Sequence, residues 1–228
     1  MTKKSYHFIF FNTSYTIKRQ YTCYINRRSL SPLNDTMMLK RFFDVVLSAL
    51  SMVVFAIPVA IIYLCIRMED GGPAFYSQER IGYRGRPFKL YKFRSMVPQA
   101  EHDDNPHLCE ENDNRLTRVG RFLRDHHLDE FPQLWNIFIG DMSFVGPRPE
   151  RKFFIDQIME HDPRYEQLYA VRPGIFSMAT LYNGYTDTLE KMLRRLEMDL
   201  DYVAHRTFWL DLKIIWLTTM SILSGKKF

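Results

Sequence analysis

The chain has 228 residues, enough for one globular domain plus an anchor. Its net charge of +5 is no sign of a nucleic-acid partner, because residues 1–36 hold six Lys/Arg against one acid and residues 37–228 hold 25 of each sign. Three widely spaced cysteines, Cys23, Cys65 and Cys109, argue against a disulfide framework and fit a reducing compartment.

Residues 1–36 mix aromatics, hydroxyl residues and scattered basic residues without a clear period. Phe8–Phe11 is too short for the apolar region of a signal peptide, and no small-residue cleavage site follows it. Met37 and Met38 stand just before the first well-patterned segment, so residues 1–36 are set apart as an extension with no assigned function. Residues 37–70 are then expected to form a membrane anchor and residues 71–228 the main body.

From Val45 to Ile66 no residue is charged. As one helix this run would reach about 33 Å, enough to cross the hydrocarbon core. Pro58 interrupts it and favours a kink or break. Basic residues flank both ends, Lys40 and Arg41 before, Arg67 and Arg80 after. The positive-inside rule would put both flanks on one face, which a helix that enters, breaks near Pro58 and returns can satisfy. The residues alone leave a spanning helix as the alternative. Gly71-Gly72-Pro73 ends the segment.

Residues 74–94 alternate short apolar runs with turns at Gly82 and Gly85-Arg86-Pro87, and Phe88–Phe93 is expected as a strand or hairpin arm. Residues 99–114 form an acidic loop; His102, His107 and Cys109 lie there at spacings that match no standard metal site. Leu116, Val119 and Leu123 mark a helix on which Arg118, Arg121 and Arg124 can share a face. A further helix is expected to begin near Leu128, with Asp129 at or close to its N-cap and Pro132 in its first turn. Leu189, Leu193, Leu196, Leu200 and Val203 define an amphipathic helix, with Arg194 and Arg195 facing elsewhere. Phe208 to Leu223 is apolar but short, contains Asp211 and Lys213, and carries Trp209 and Trp216, which suits an interfacial helix.

The chemistry concentrates at Asp129-Glu130. Two adjacent carboxylates could hold a metal or attack phosphorus, and an Asp at a helix start also serves as a plain cap. A cap position would favour the ionised Asp129 that attack requires. A bound Mg²⁺ would relieve the repulsion of the pair while binding substrate phosphates. Gly146-Pro147-Arg148-Pro149 mounts Arg148 between two rings, either as a phosphate-binding fork or as a rigid exposed turn. Arg172-Pro173-Gly174 poses the same choice.

From about Lys40 to Leu223 the chain resembles the bacterial sugar transferases, the monotopic phosphoglycosyl transferases that act on polyprenyl phosphate, in their minimal catalytic form. The motifs that carry the likeness are Lys40-Arg41-Phe42-Phe43-Asp44, Gln78–Phe88, Tyr91–Met96, Arg115–Arg124, the dyad segment, Gly146–Glu150 and Arg172–Ile175. The resemblance implies an α+β, mainly helical fold, with a re-entrant membrane helix broken at Pro58 and a cytoplasmic catalytic domain carrying interfacial helices. It places the protein at the bacterial inner membrane, monotopic, in capsule, exopolysaccharide or O-antigen-type glycan assembly. It further implies transfer of a sugar-1-phosphate from a UDP-sugar to undecaprenyl phosphate, with UMP released and Mg²⁺ required.

By the same resemblance Asp129 is the covalent nucleophile and Glu130 its partner, and the pair holds the metal. Arg124 and Arg148, with Lys92, Arg94 and Arg172 in the matching motifs, bind phosphate or nucleotide. The competing readings are a polyprenyl-phosphate hydrolase, a transferase with another donor, and an inactive membrane-surface scaffold. The sequence departs from the family at Ile57-Pro58, where Ser-Pro is usual. It departs again at Phe176–Gly184, where many members continue with Trp-Ala-Gln; this version resembles capsule-type members and leaves the donor sugar open.

Overall fold

The computed structural model describes residues 30–98, 100, 113–183 and 186–224, with no side-chain description for residues 30–37 and 223. The expected acidic loop, with His102, His107 and Cys109, therefore lies mostly outside the described residues. Contacts divide the chain into a unit ending at Leu39 and a unit from Lys40 to Phe228. The first helix, α1 (Leu30–Val54), runs through residues 36 and 37, where the sequence suggested a boundary.

Helix α2 (Ala56–Asp70) follows after a single residue, and the pair is bent by 61°. Pro58 is the cause. It has no N–H for the Val54 carbonyl four residues back, and its ring crowds that carbonyl. Regular bonds resume on either side, with the Phe55 N–H donating to the Ser51 carbonyl at 2.8 Å and the Val59 N–H to the Phe55 carbonyl at 2.9 Å. The bend thus falls at Phe55, before the proline and not at it. Among the described residues no single helix is long and apolar enough to cross a membrane, whereas the bent pair meets that test together. Gly71 ends α2 in the left-handed region at φ 71°, where glycine has no Cβ penalty.

Strands β1 (Phe75–Ile81) and β2 (Pro87–Phe93) form an antiparallel hairpin with Phe75 opposite Phe93 and Ile81 opposite Pro87. Helix α3 (Arg118–Asp125) starts one residue after Thr117, whose hydroxyl accepts from the Gly120 N–H. Leu116 lies before that cap, in a bridge with Met96, so the helical run is shorter than its apolar spacing suggested. A 3₁₀ turn at Leu128–Glu130 leads to α4 (Gln133–Ile139), with Pro132 at its N-cap. Asp129 is therefore not at the start of that helix, a correction with consequences for its charge.

Strand β3 (Ser143–Val145) pairs in parallel with β4 (Gly174–Phe176). Between them lie α5 (Lys152–His161) and a 3₁₀ helix, Pro163–Ala170. Gly146 and Gly174 meet backbone to backbone: a Cβ on Gly174 would sit 2.1 Å from the Gly146 nitrogen. The two Pro-containing motifs, separate in sequence, are thus one packed unit. Helices α6 (Met178–Asn183), α7 (Leu189–His205) and α8 (Phe208–Leu223) complete the described chain. Helix α7 covers the amphipathic run, but Arg195 points into the protein at 8% exposure instead of away from it. Among the described residues it is an α+β fold, mostly helical with two small sheets.

Among the described residues four apolar clusters hold this body. One joins α2 to the segment that carries Asp129 and Glu130: Ile66, Ala74, Phe93 and Leu123, with Val59, Ile62, Val119, Leu128 and Phe131 packed around them. Another is Phe154, Ile155, Ile158, Tyr165, Leu168, Met192 and Leu196, between α5, the second 3₁₀ helix and α7. A large apolar surface stays exposed, including Val53, Ile57, Leu64 and Met68 on the bent pair and Trp209 and Trp216 on α8.

Candidate active site

Asp129 and Glu130 sit on the 3₁₀ turn between α3 and α4, 5% and 8% exposed. Two cations fix Glu130: Arg148 Nη2 donates to Oε1 at 2.5 Å and Lys92 Nζ to the same oxygen at 2.9 Å. Lys92 Nζ also lies 3.9 Å from Asp129 Oδ2. The two carboxyls respond differently. Glu130 is held well below the ordinary carboxylate range by Arg148 and Lys92, which outweigh the burial that would raise it. Asp129 is raised, chiefly by burial, with Lys92 opposing and the Glu130 charge adding to the rise. The cations, not a helix terminus, are what favour ionisation here.

Local structure explains why these groups converge. Asn136, fully buried on α4, accepts from the Tyr91 N–H through Oδ1 at 3.1 Å and donates to the Lys89 carbonyl through Nδ2 at 2.7 Å. That clip holds the outer edge of β2 on α4, which brings Lys92 to the dyad. His127 precedes the turn in the left-handed region at φ 55°, a strained backbone for a residue with a Cβ. Its imidazole is pushed down by burial, so it is biased toward the neutral form.

The other candidate residues divide. Arg124 is half-buried at the end of α3 and close enough to lower the pKa of Asp129. Arg94 pairs with Asp70 at the end of α2 and lies against Gly72, where a Cβ would come within 1.9 Å of its Nη1. Arg172 Nε donates to the Gly140 carbonyl at 2.8 Å, and its guanidinium carbon is 5.2 Å from the centre of the Tyr83 ring. The structure thus brings Lys92, Arg148 and Arg124 to the carboxylates, and gives Arg94 and Arg172 other contacts.

The basic residues before the apolar run do more than mark a flank. Lys40 Nζ donates to the Val145 carbonyl at 2.9 Å and pairs with Asp211, and Arg41 donates to the Ile137 and Phe138 carbonyls at 2.5 and 2.8 Å. Asp44 accepts from the Phe144 N–H at 3.2 Å. Three residues of the Lys40–Asp44 motif thereby tie α1 to the elements that follow the dyad. Sequence reasoning missed Asn136. A polar residue inside the apolar pattern of α4 was the signal available for Asn136.

A mostly helical α+β fold here carries a buried, cation-clamped carboxylate pair next to a bent, apolar helix pair. The chain belongs to the bacterial sugar transferase family, whose model matches residues 35–225. It is 41% identical over 191 residues to the UDP-glucose:undecaprenyl-phosphate glucose-1-phosphate transferase of Klebsiella pneumoniae, covering 82% of this chain and 41% of that protein. It is 34% identical to the UDP-N-acetylgalactosamine-undecaprenyl-phosphate N-acetylgalactosaminephosphotransferase of Aeromonas hydrophila, over 86% of this chain and 46% of that one. A Caulobacter vibrioides protein, named as a UDP-glucose:undecaprenyl-phosphate glucose-1-phosphate transferase, is 40% identical over 81% of this chain and 70% of its own length. The chain spans less than half the length of the first two relatives.

Proposed function

We propose that the protein transfers a sugar-1-phosphate from a UDP-sugar to a polyprenyl phosphate such as undecaprenyl phosphate, releasing UMP, at a membrane surface. The observation that carries this is the buried Asp129 beside a Glu130 clamped by Lys92 and Arg148. The printed activities of the three relatives support the same reaction. In the first step an Asp129 oxygen attacks the sugar-linked phosphorus, and the bond from that phosphorus to the bridging oxygen breaks as UMP leaves. In the second, a phosphate oxygen of the lipid attacks the same phosphorus and frees the Asp129 carboxylate.

The geometry supports a role for each group. Lys92, at 3.9 Å, favours the ionised Asp129 against the burial that disfavours it. Arg148 holds Glu130 and presents the rest of its planar fork, a shape suited to phosphate oxygens. The low exposure of the pair keeps out water that would hydrolyse the acyl phosphate.

Mg²⁺ fits the donor set. Among the described residues no group of three or more His, Cys, Asp or Glu is placed to hold a metal ion. Mg²⁺ commonly needs only one or two carboxylates, the substrate's phosphate oxygens and water completing its sphere. Asp129 and Glu130 would hold it, and when bound it would draw negative charge from the diphosphate.

The anchor belongs to the same reading. The helix bent at Phe55, basic anchors before it and exposed apolar residues on both arms support a re-entrant segment over residues 37–70, with the catalytic part, residues 71–228, on the cytoplasmic face. Trp209 and Trp216 support α8 as an interfacial helix. The test is UMP release from a panel including UDP-glucose and UDP-N-acetylgalactosamine, with and without undecaprenyl phosphate. Release that depends on the lipid supports the reading, and none from any donor contradicts it.

A further inference from the structure

We propose that Gln133 is a catalytic residue, its buried side-chain amide donating a hydrogen bond to an oxygen of the phosphoryl group that Asp129 attacks. The inference rests on the transfer reaction proposed above and adds a neutral donor to the carboxylates and cations placed there. Gln133 is 2% exposed, and its Nε2 is a buried donor with no hydrogen-bond partner among the described residues. A buried donor left unpaired destabilises a fold, whereas an apolar side chain of the same shape would not. Such a group in a native protein calls for a reason, and its surroundings supply one.

The backbone puts that donor beside the dyad. From Leu128 onward the chain winds in consecutive right-handed turns. The Phe131 N–H donates to the Leu128 carbonyl at 3.3 Å and the Leu134 N–H to the Phe131 carbonyl at 3.0 Å. Phe131 and Pro132, between the 3₁₀ turn and α4, hold helical φ/ψ of −53/−38° and −61/−18°. Gln133 therefore follows Asp129 by four residues and Glu130 by three, spacings that set side chains on one face with Cβ atoms about 5–6 Å apart. Asn136 lies three residues further along that face. Both of its flanking neighbours reach β2: Glu130 Oε1 accepts from Lys92 Nζ at 2.9 Å, and Asn136 Oδ1 from the Tyr91 N–H at 3.1 Å. Gln133 stands between these two ties. Lys92 Nζ and Arg148 Nη2 each spend a donor on Glu130 Oε1. A neutral amide on the same turn can serve a phosphoryl oxygen whose charge grows as Asp129 bonds to phosphorus. Being neutral, it does not blunt the nucleophile by ion pairing. One fixed donor of this kind is worth on the order of 100-fold in kcat.

The test sets stability against activity in the full-length protein. Gln133→Met and Gln133→Leu keep most of the side-chain volume and remove the amide. An unpaired amide is no loss to the fold, so at least one variant should keep the wild-type thermal midpoint or exceed it. A lowered midpoint in both, or failure of both to fold, means that a partner within the fold holds the amide, and overturns the proposal. The stable variant is then assayed for UMP release from UDP-glucose and UDP-N-acetylgalactosamine with undecaprenyl phosphate. Its kcat should fall on the order of 100-fold, with KM for the sugar nucleotide changed by less than about threefold. An unchanged kcat overturns the proposal. A second arm needs no turnover: orthovanadate, a mimic of the phosphoryl group in transit, is titrated calorimetrically in the presence of UMP. The wild-type protein should bind it about tenfold or more tightly than the variant. Equal affinity, or no binding to the wild type, overturns the proposal whether or not either sugar nucleotide is a substrate. Absence of wild-type turnover together with weaker vanadate binding in the variant would instead fault the reaction and leave the Gln133 contact supported.

Discussion

Phe55, at the bend of the apolar helix pair, stacks on Phe131, the residue directly after Asp129-Glu130, with ring centroids 4.9 Å apart. The break in the helix and the carboxylates are therefore neighbours, which their 74-residue separation in sequence conceals. An aromatic pair of this kind contributes about 0.5–1.5 kcal/mol beyond its area burial. Phe55→Ala should loosen the dyad turn and lower kcat severalfold while the protein stays with the membrane fraction. Full activity in Phe55→Ala would show that the bend has no hold on the site.

Glu150 is the second place where charge is locked in. It lies between Arg80 and Arg195, which hold its carboxyl down to about 2. Glu150→Gln would leave two buried guanidiniums facing a neutral group, and breaking a buried ion pair costs about 3–5 kcal/mol. Chemical denaturation in detergent should show a loss of that order. A change below about 1 kcal/mol would mean that the network relaxes freely around the missing charge.

Much of the fold was legible in the sequence because local rules governed it. The Gly71-Gly72-Pro73 stop, the β1–β2 hairpin and helices α7 and α8 followed from breakers and periodicity. Legibility ended where tertiary contacts took over. Nothing local indicates that Gly146 and Gly174 interlock, that Arg94 turns to Asp70, or that Arg195 enters the core to meet Glu150. The site shows the same division. Asp129, Glu130 and Arg148 stood out by residue type and spacing. The Asn136 clip comes from a partner 45 residues away. The expected N-cap for Asp129 failed because the chain forms a 3₁₀ turn before Pro132, and burial then set its charge.

Asp199 predicts a pH dependence of stability. Burial on α7 pushes its carboxyl up to about 7 when folded, against about 4 in an unfolded chain. The folded state therefore binds the extra proton between those values, and the stability it contributes is present at low pH and lost as pH rises through 7. Asn carries no such proton. The thermal midpoint of Asp199→Asn relative to wild type should rise between pH 5 and pH 8, and a constant difference would contradict it.

Topology is tested with single cysteines at two exposed positions on either side of the bend at Phe55, Met38 on α1 and Ser77 on β1, with the native cysteines replaced. Both should resist a membrane-impermeant thiol reagent in intact cells and react after lysis. Labelling of only one in intact cells would establish a spanning segment.

The central claim is a covalent bond to Asp129. Purified protein is incubated with UDP-sugar labelled in the sugar or its attached phosphate, without lipid acceptor, then digested and mapped. The label should appear on the peptide containing Asp129, be absent in Asp129→Asn, and be discharged by undecaprenyl phosphate. Lipid-dependent turnover with no labelled peptide, together with intersecting double-reciprocal plots, would mean direct transfer from donor to lipid and would contradict the mechanism.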